Sequence, residues 1–397
     1  MLAQQHSPPL PIVPGPSFAR GLWRIAGADV SGGNRITMLY NGEMTFEAKL
    51  ADIALAEHTV RLEGYIFRED EVGARFSDAL CEAAARGVQV RVLVDWIGRW
   101  PTRMRFFKEM RRRGVDVRMF NPPGLRAWFG LVPRDHRKLL VVDDRSGITG
   151  GIGIGNEWRT GVLRRRRAPW RDTAVRIEGP AATDMAESFD RMWVRAAGTE
   201  RRSSDRYLVR RRRTGESMEH VTEAAHRGPT LVGIIQGEPM RLRVARALQI
   251  QAVSAETAIW IASAYFVPSY AELEALIGAA RDGVDVRILV PHRHDHFWIR
   301  LLTRRFYRRL IVNGVRIWEW KGEMMHAKTS VVDSRWVRIG STDFNPLGIA
   351  INYELDAVID DPRIGAEMAK SFLDDLAESR EITLREVGGR RAIASGA

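Results

Sequence analysis

Hydrophobic positions along the chain follow two periods in turn, and the same succession occurs twice. Thr59–Phe67 reads as a strand. Phe76, Leu80 and Ala84 then recur at helical spacing, and Arg86-Gly-Val-Gln-Val-Arg-Val-Leu-Val-Asp95 returns to strand. The second pass runs through Ala258–Val267, then Leu273, Leu276, Ile277 and Ala280, then Asp282-Gly-Val-Asp-Val-Arg-Ile-Leu-Val-Pro291. A further helix and strand complete each unit, ending in Arg113-Gly-Val-Asp-Val-Arg118 and Asn313-Gly-Val-Arg-Ile-Trp318. Near-continuous Val/Ile/Leu strands between amphipathic helices predict an α/β protein. A repeat of this length predicts two similar lobes, each a mixed sheet flanked by helices and related by a pseudo-two-fold. The pattern places the lobes at 34–198 and 229–388, after an N-terminal extension 1–33. The stretch 199–228, rich in Arg, Ser, Glu and Gly, reads as a linker, and 389–397 as a tail.

The same place in each repeat carries a second identity. His136-Arg-Lys138-Leu-Leu-Val-Val-Asp143 and His326-Ala-Lys328-Thr-Ser-Val-Val-Asp333 both read H-x-K-x4-D, and a small-residue turn follows seven residues later, Gly150-Gly151 and Gly340-Ser341. Residues two apart on a strand share a face, so each histidine points with its lysine. Asp143 and Asp333 fall on the opposite face, where they can brace the backbone behind a site. Two His/Lys pairs facing each other form a cage for one phosphodiester. The ammonium groups offset charge on the phosphoryl oxygens. One imidazole can attack phosphorus while the other protonates the leaving alkoxide. This reading needs no cofactor and no metal.

Charge sharpens the picture. The chain has 397 residues, and 61 Lys and Arg against 49 Asp and Glu leave a net charge of +12. That favours a polyanionic partner: nucleic acid, an anionic membrane surface or a phosphate-bearing substrate. Only six of the basic residues are lysines, two of them in the repeated motif, where a compact ammonium serves better than a planar fork. The single cysteine, Cys81, excludes an intrachain disulfide and a thiolate metal cluster. No apolar run is long enough to span a membrane, and Met1–Pro16 lacks the basic and apolar regions of a signal peptide, so the expected location is cytoplasmic.

The duplicated motif resembles that of the phospholipase D superfamily over roughly residues 35–385, and most closely the bacterial cardiolipin synthases of the type without transmembrane helices. Asn41-Gly42, Trp170-Arg-Asp-Thr173, Val175-Arg-Ile-Glu-Gly-Pro180, Tyr265-Phe-Val-Pro268 and Asn352-Tyr-Glu354 add to the likeness. The resemblance implies phosphatidyl transfer between phospholipids through a phosphohistidine on His136, with His326 as acid and then base, and phospholipase D hydrolysis when water is the acceptor. It implies phosphatidylglycerol or a similar lipid as substrate and peripheral attachment to an anionic membrane, with no obligatory nucleic acid. It further implies that a carboxylate orients each histidine, Asp172 for His136 and Glu354 for His326. An asparagine that usually follows the turn is absent, since Gly153 and Asp343 hold those places. Asn156 and Asn345, just downstream, are the candidates to substitute, and Ser341 of the second turn is a further supporting residue. A nuclease on the same scaffold is the alternative that the charge suits equally well. A decayed, non-enzymatic anion binder is the third, against which both intact motifs speak.

Weaker signals stand apart from this core. Gly151-Ile-Gly-Ile-Gly155 lacks the spacing of a dinucleotide loop. His292, His294 and His296 read as a solvated loop at the mouth of the site. Basic and aromatic residues interleave in Trp96–Arg113, Arg164–Arg171 and Phe297–Arg309, as suits docking on an anionic bilayer. Ala127–Leu131 reads as an apolar loop beside the first motif.

Overall fold

The computed structural model describes residues 21–122, 133–159, 168–197, 230–295 and 297–387. The expected linker, tail, Met1–Pro16, the Ala127–Leu131 loop, Arg164–Arg167 and His296 lie outside the described residues.

The repeat in sequence becomes a repeat in topology. In the first half, β2 (Arg35–Tyr40), β3 (Thr59–Gly64), β4 (Gln89–Asp95), β5 (Asp116–Phe120), β6 (Lys138–Val142), β7 (Ser146–Gly150) and β8 (Thr173–Glu178) form one sheet. Its order is β2-β8-β7-β6-β3-β4-β5. In the second half, β9 (Leu231–Gly237), β10 (Ala258–Ser263), β11 (Asp285–Pro291), β12 (Arg316–Trp320), β13 (Lys328–Val332), β14 (Trp336–Gly340) and β15 (Glu354–Asp360) take the same order, β9-β15-β14-β13-β10-β11-β12. Parallel and antiparallel pairings match throughout: β3 with β4 and β10 with β11 are parallel, while β3 with β6 and β10 with β13 are antiparallel. The second sheet gains two edges, β1 (Asp29–Ser31) on β9 and β16 (Ser379–Glu381) on β12. So the end of the N-terminal extension, expected to stand outside both lobes, pairs with the second.

Both faces of each central strand are buried, which explains their unbroken apolar runs. Alternation still operates within them. Leu140 and Val142 join Phe46, Phe76, Leu80 and Phe107 under the helices Asn41–Ala54, Glu71–Ala85 and Met104–Arg112. Leu139 and Val141 face inward. There they meet the helix Pro180–Ala196 through Met185, Phe189 and Trp193, together with Val337, Ile339, Leu355 and Ala357 of the second sheet. The lobes therefore share one core, and their relative position is fixed by packing density.

Asp143 and Asp333 brace the backbone as their strand parity predicts. Each sits in a left-handed turn, φ 51° and 52°. Asp143 accepts from the backbone N–H of Glu57, His58 and Thr59 at 2.6–2.9 Å. Asp333 accepts from Glu256, Thr257 and Ala258 at 2.8–3.0 Å. Each carboxylate thus ties the far end of a motif strand to the start of its neighbour. Asp333→Ala orphans these donors and should cost about 2–3 kcal/mol of stability, read as a lower urea midpoint at unchanged m. A wild-type midpoint would show that the loop holds without the carboxylate.

Candidate active site

Lys138 opens β6 opposite Gly64, and Lys328 opens β13 opposite Ser263. A tyrosine just beyond each partner position, Tyr65 one residue after Gly64 and Tyr265 two after Ser263, brings an aromatic wall. Lys138 Nζ lies 5.5 Å from the Tyr65 ring, and Lys328 Nζ 5.6 Å from the Tyr265 ring. The same rings meet the histidines edge-on, Tyr65 on His136 at 5.0 Å and Tyr265 on His326 at 6.1 Å. His136, Lys138, His326, Tyr65 and Tyr265 line a single cavity of about 460 Å³. Sequence reasoning saw the two tyrosines only as echoes of the repeat; their place beside the lysines follows from the register of β3 with β6 and β10 with β13.

The orienting carboxylates are exchanged relative to the expectation. His136 Nδ1 donates to Glu354, 3.0 Å and 3.2 Å from its two oxygens, and His326 Nδ1 donates to Asp172 at 2.8 Å. Each histidine takes its carboxylate from the other half. The cause is a pair of parallel bridges between the lobes, Asp135 with Tyr353 and Arg171 with Met325. His136 N–H donates to Tyr353 O at 3.0 Å, and His326 N–H to Arg171 O at 2.7 Å. The residue next along each partner strand is the carboxylate. Donation from Nδ1 leaves both Nε2 atoms for the cavity.

The surroundings of the two halves differ. Ser341 donates its hydroxyl to Glu354 and accepts from the Leu355 N–H at 3.0 Å. Gly151 holds the equivalent place, where a Cβ would lie 2.3 Å from Asp172 Oδ1. Asp172 is instead fixed by the Trp158 indole at 3.0 Å and the Thr173 N–H at 2.8 Å. Trp170 tilts against His326 at 5.4 Å, and Trp158 meets it edge-on at 5.6 Å. His326 is buried, and Lys328 Nζ donates to its Nε2 at 3.1 Å. The His136 side chain keeps 16% of its surface exposed.

The two departures from the asparagine pattern each have a steric or electrostatic reason. A Cβ on Gly153 would come within 2.9 Å of the Trp158 ring and 3.0 Å of Ile66 Cβ, so the indole occupies that space. Asp343 is neutralised in place. Lys328 Nζ lies 3.3 Å from one of its oxygens, and the Tyr265 N–H donates to the other at 3.2 Å. Asn345 lines the cavity, with its amide on Tyr265 O at 3.3 Å. Asn156 does not line it; its backbone N–H donates to Asp70 at 2.7 Å.

Burial governs protonation here. It pushes Glu354 up to about 8 and Asp172 to about 6, against the pull of the lysines. It lowers Lys138 to about 7. Both histidines are held well below their ordinary value, by burial first and then by Lys138 and Lys328, so both are neutral near pH 7. An entering phosphodiester anion counters the field of the ammoniums and raises the histidines' proton affinity. The neutral site is suited to nucleophilic attack, the occupied one to proton donation.

The basic stretches are less free than their sequence suggests. Arg171 turns inward to Asp375 at 2.8 Å and Ser371 at 3.0 Å, latching the lobes. Arg103 holds Glu69, Arg113 holds Asp78 and Arg304 holds Glu319. His292 donates to Glu319 at 2.7 Å, and no metal-holding group of His, Cys, Asp and Glu occurs among the described residues.

Matched lobes and a two-histidine, two-lysine cage define a two-lobed phospholipase D-like protein. The chain belongs to the family described as cardiolipin synthase, PLD-like domain, which matches residues 50–193 and 249–376. It is 32% identical to the cardiolipin synthase of Geobacillus kaustophilus over 91% of this chain and 70% of that protein. It is 31% identical to the major cardiolipin synthase ClsA of Bacillus subtilis over 89% of this chain and 71% of the relative. In fold it is similar to the phosphatidylserine synthase of Haemophilus influenzae, with TM-score 0.67, 13% identity and 92% of each chain covered.

The protonation pattern makes a pH prediction. With Lys138 as the cation that faces the phosphoryl oxygens, its lowered value predicts that activity is lost as pH rises through about 7 and above. Asp172 and Glu354 must both be ionised to hold the histidines, so activity is lost as pH falls through about 8 and then about 6, the Glu354 limb overlapping that of Lys138. The profile of kcat/KM should therefore be bell-shaped. Lys138→Arg, which stays charged, should move the alkaline limb upward even if it lowers the plateau. An alkaline limb that stays in place would assign it elsewhere.

Proposed function

We propose that this protein transfers a phosphatidyl group from one phospholipid to another through a phosphohistidine, as a cardiolipin synthase-type enzyme. The observation that carries the reading is the convergence of His136, Lys138 and His326 on one cavity, with Lys328 behind His326 Nε2 and each histidine's Nδ1 committed to a carboxylate. The names of the relatives agree with it.

In the first step His136 Nε2 attacks phosphorus and the bond from phosphorus to the headgroup oxygen breaks. His326, which takes a proton from solvent on Nε2 as the phosphodiester anion binds and raises its proton affinity, gives that proton to the leaving alkoxide. In the second step the acceptor hydroxyl loses its proton to His326 and attacks phosphorus. The P–N bond breaks, and His136 is released. Lys138 and Lys328 offset the charge on the non-bridging oxygens in both steps. Water in place of the acceptor gives hydrolysis. His136 suits the nucleophile's role because it is the more exposed of the two, while Lys328 already occupies the His326 Nε2 lone pair.

The reading includes adsorption to an anionic membrane. Ile97, Trp298 and Leu347 line the cavity and are each about half exposed at its mouth, beside Arg68 and Arg134. Trp100, 74% exposed, lies nearby, its carbonyl accepting from Arg68. Apolar side chains with basic neighbours suit insertion at the headgroup level better than a groove for nucleic acid. No helix among the described residues is long and apolar enough to cross a membrane.

With phosphatidylglycerol vesicles the purified protein should form a diphosphatidyl product and free glycerol, and chelation should leave turnover intact. His326→Ala should lower turnover by about 10²–10⁴-fold. Lipid carrying labelled phosphate should label the quenched protein, and His136→Ala should remove the label. Plasmid cleavage dependent on His136, with no lipid product, would establish the nuclease instead.

A further inference from the structure

Beside the catalytic cavity lies a second one of about 800 Å³, and the two share a wall made of Trp170 and Asp295. Its other lining comes mainly from the loop after β11 and the start of the helix Phe297–Ile311: His292, Arg293, His294 and Arg300, with Leu301 on the apolar side.

The polar groups of this cavity are unequally engaged. Its two acids are occupied, Asp295 by the Tyr265 hydroxyl at 2.7–2.8 Å and Glu323 by Arg293 at 3.5 Å. Neighbouring arginines are matched too, Arg304 with Glu319 and Arg309 with Glu274. Arg300 holds no carboxylate among the described residues; one of its guanidinium nitrogens lies 3.5 Å from His292 Nδ1. Its Nε, and the Nδ1 of His294, are buried without a hydrogen-bond partner. His294 in turn lies against the Tyr265 ring at 6.3 Å, the ring that meets His326 from the other side. Unsatisfied groups of this kind are rare in native interiors, and a bound anion or an ordered water satisfies them. A guanidinium without a carboxylate, next to an imidazole, matches a phosphodiester anion.

Resting on the phosphatidyl-transfer reading, we propose that this second cavity seats the phosphodiester of the acceptor phospholipid, with Arg300 as its principal contact and His294 as a second donor. Joining two phospholipids gives a product with two phosphodiesters separated by one glycerol. The catalytic cage has cations for one of them. The other must rest no more than a glycerol's length away, across a wall thin enough for the acceptor hydroxyl to reach phosphorus. The cavity that shares Trp170 and Asp295 with the cage is its direct neighbour, and its apolar side suits the first carbons of an acyl-glycerol. A hydrolase, or transfer to a small alcohol, has no use for a second anion seat.

The test compares two acceptors on the full-length protein. Arg300→Gln should lower formation of the diphosphatidyl product from phosphatidylglycerol vesicles by about tenfold or more. Exchange of labelled glycerol into phosphatidylglycerol, in which the acceptor carries no phosphate, should stay within about twofold of wild type, which also shows the variant to be folded. Arg300→Lys should recover much of the lost transfer. A parallel fall of both reactions would place Arg300 in the shared chemistry and overturn the proposal, as would an unchanged diphosphatidyl yield. A wild-type protein that forms neither product would overturn the transfer reading itself.

Discussion

The hydrogen bond from each motif histidine to a carboxylate of the opposite half is the constraint on which the candidate site depends. Nδ1 of His136 on Glu354 and Nδ1 of His326 on Asp172 fix tautomer and ring orientation together, leaving two Nε2 atoms for one cavity. Neither half can build a working histidine alone. The bridges Asp135–Tyr353 and Arg171–Met325 carry the exchange, and the Arg171 latch to Asp375 and Ser371 and the shared core around Phe189, Trp193 and Ile339 keep it in register. The lobes are therefore one catalytic unit, and disorder at their interface would show first as a loss of histidine orientation.

The cage concentrates charges that are costly to bury. Lys138, Lys328, Asp172, Glu354 and Asp343 are all buried around two neutral histidines. Such a cluster is tolerable only when its members answer one another. Lys328 does so most, through His326 Nε2, the His326 carbonyl and Asp343. The depression of Lys138 and the elevation of Glu354 express the cost of burying them. A phosphodiester supplies the missing anion, so binding energy and the shift of the histidines toward their proton-donating form come from the same electrostatic event. The asymmetry between halves follows the same logic: the exposed His136 suits covalent attack, and the histidine boxed by Trp158 and Trp170 suits proton transfer.

The sequence carried the topology because the repeat is written in local periodicity, and each strand–helix–strand unit reappears with the same order in both sheets. The motif pairs were legible because strand parity alone places His136 with Lys138 and turns Asp143 and Asp333 toward the backbone. The partner of each carboxylate was not legible. Asp172 and Glu354 were assigned within their own halves, and only a long-range bridge between lobes, which leaves no periodic trace, exchanges them. Ser341 against Gly151, and Gly153 under Trp158, are side-chain packing decisions of the same kind. The basic stretches misled in part, because composition counts an arginine whether it faces a headgroup or, as with Arg171, closes an interface. The second cavity likewise depends on a loop and a helix meeting Trp170 from the other half.

The exchange itself can be measured by double-mutant cycles on the phosphatidyl-transfer rate, using Glu354→Gln and Asp172→Asn with His136→Ala and His326→Ala. The account predicts strong coupling for Glu354 with His136 and for Asp172 with His326, and near additivity for the two pairs within one half. Coupling of Glu354 with His326 and of Asp172 with His136, and none across the halves, would contradict it.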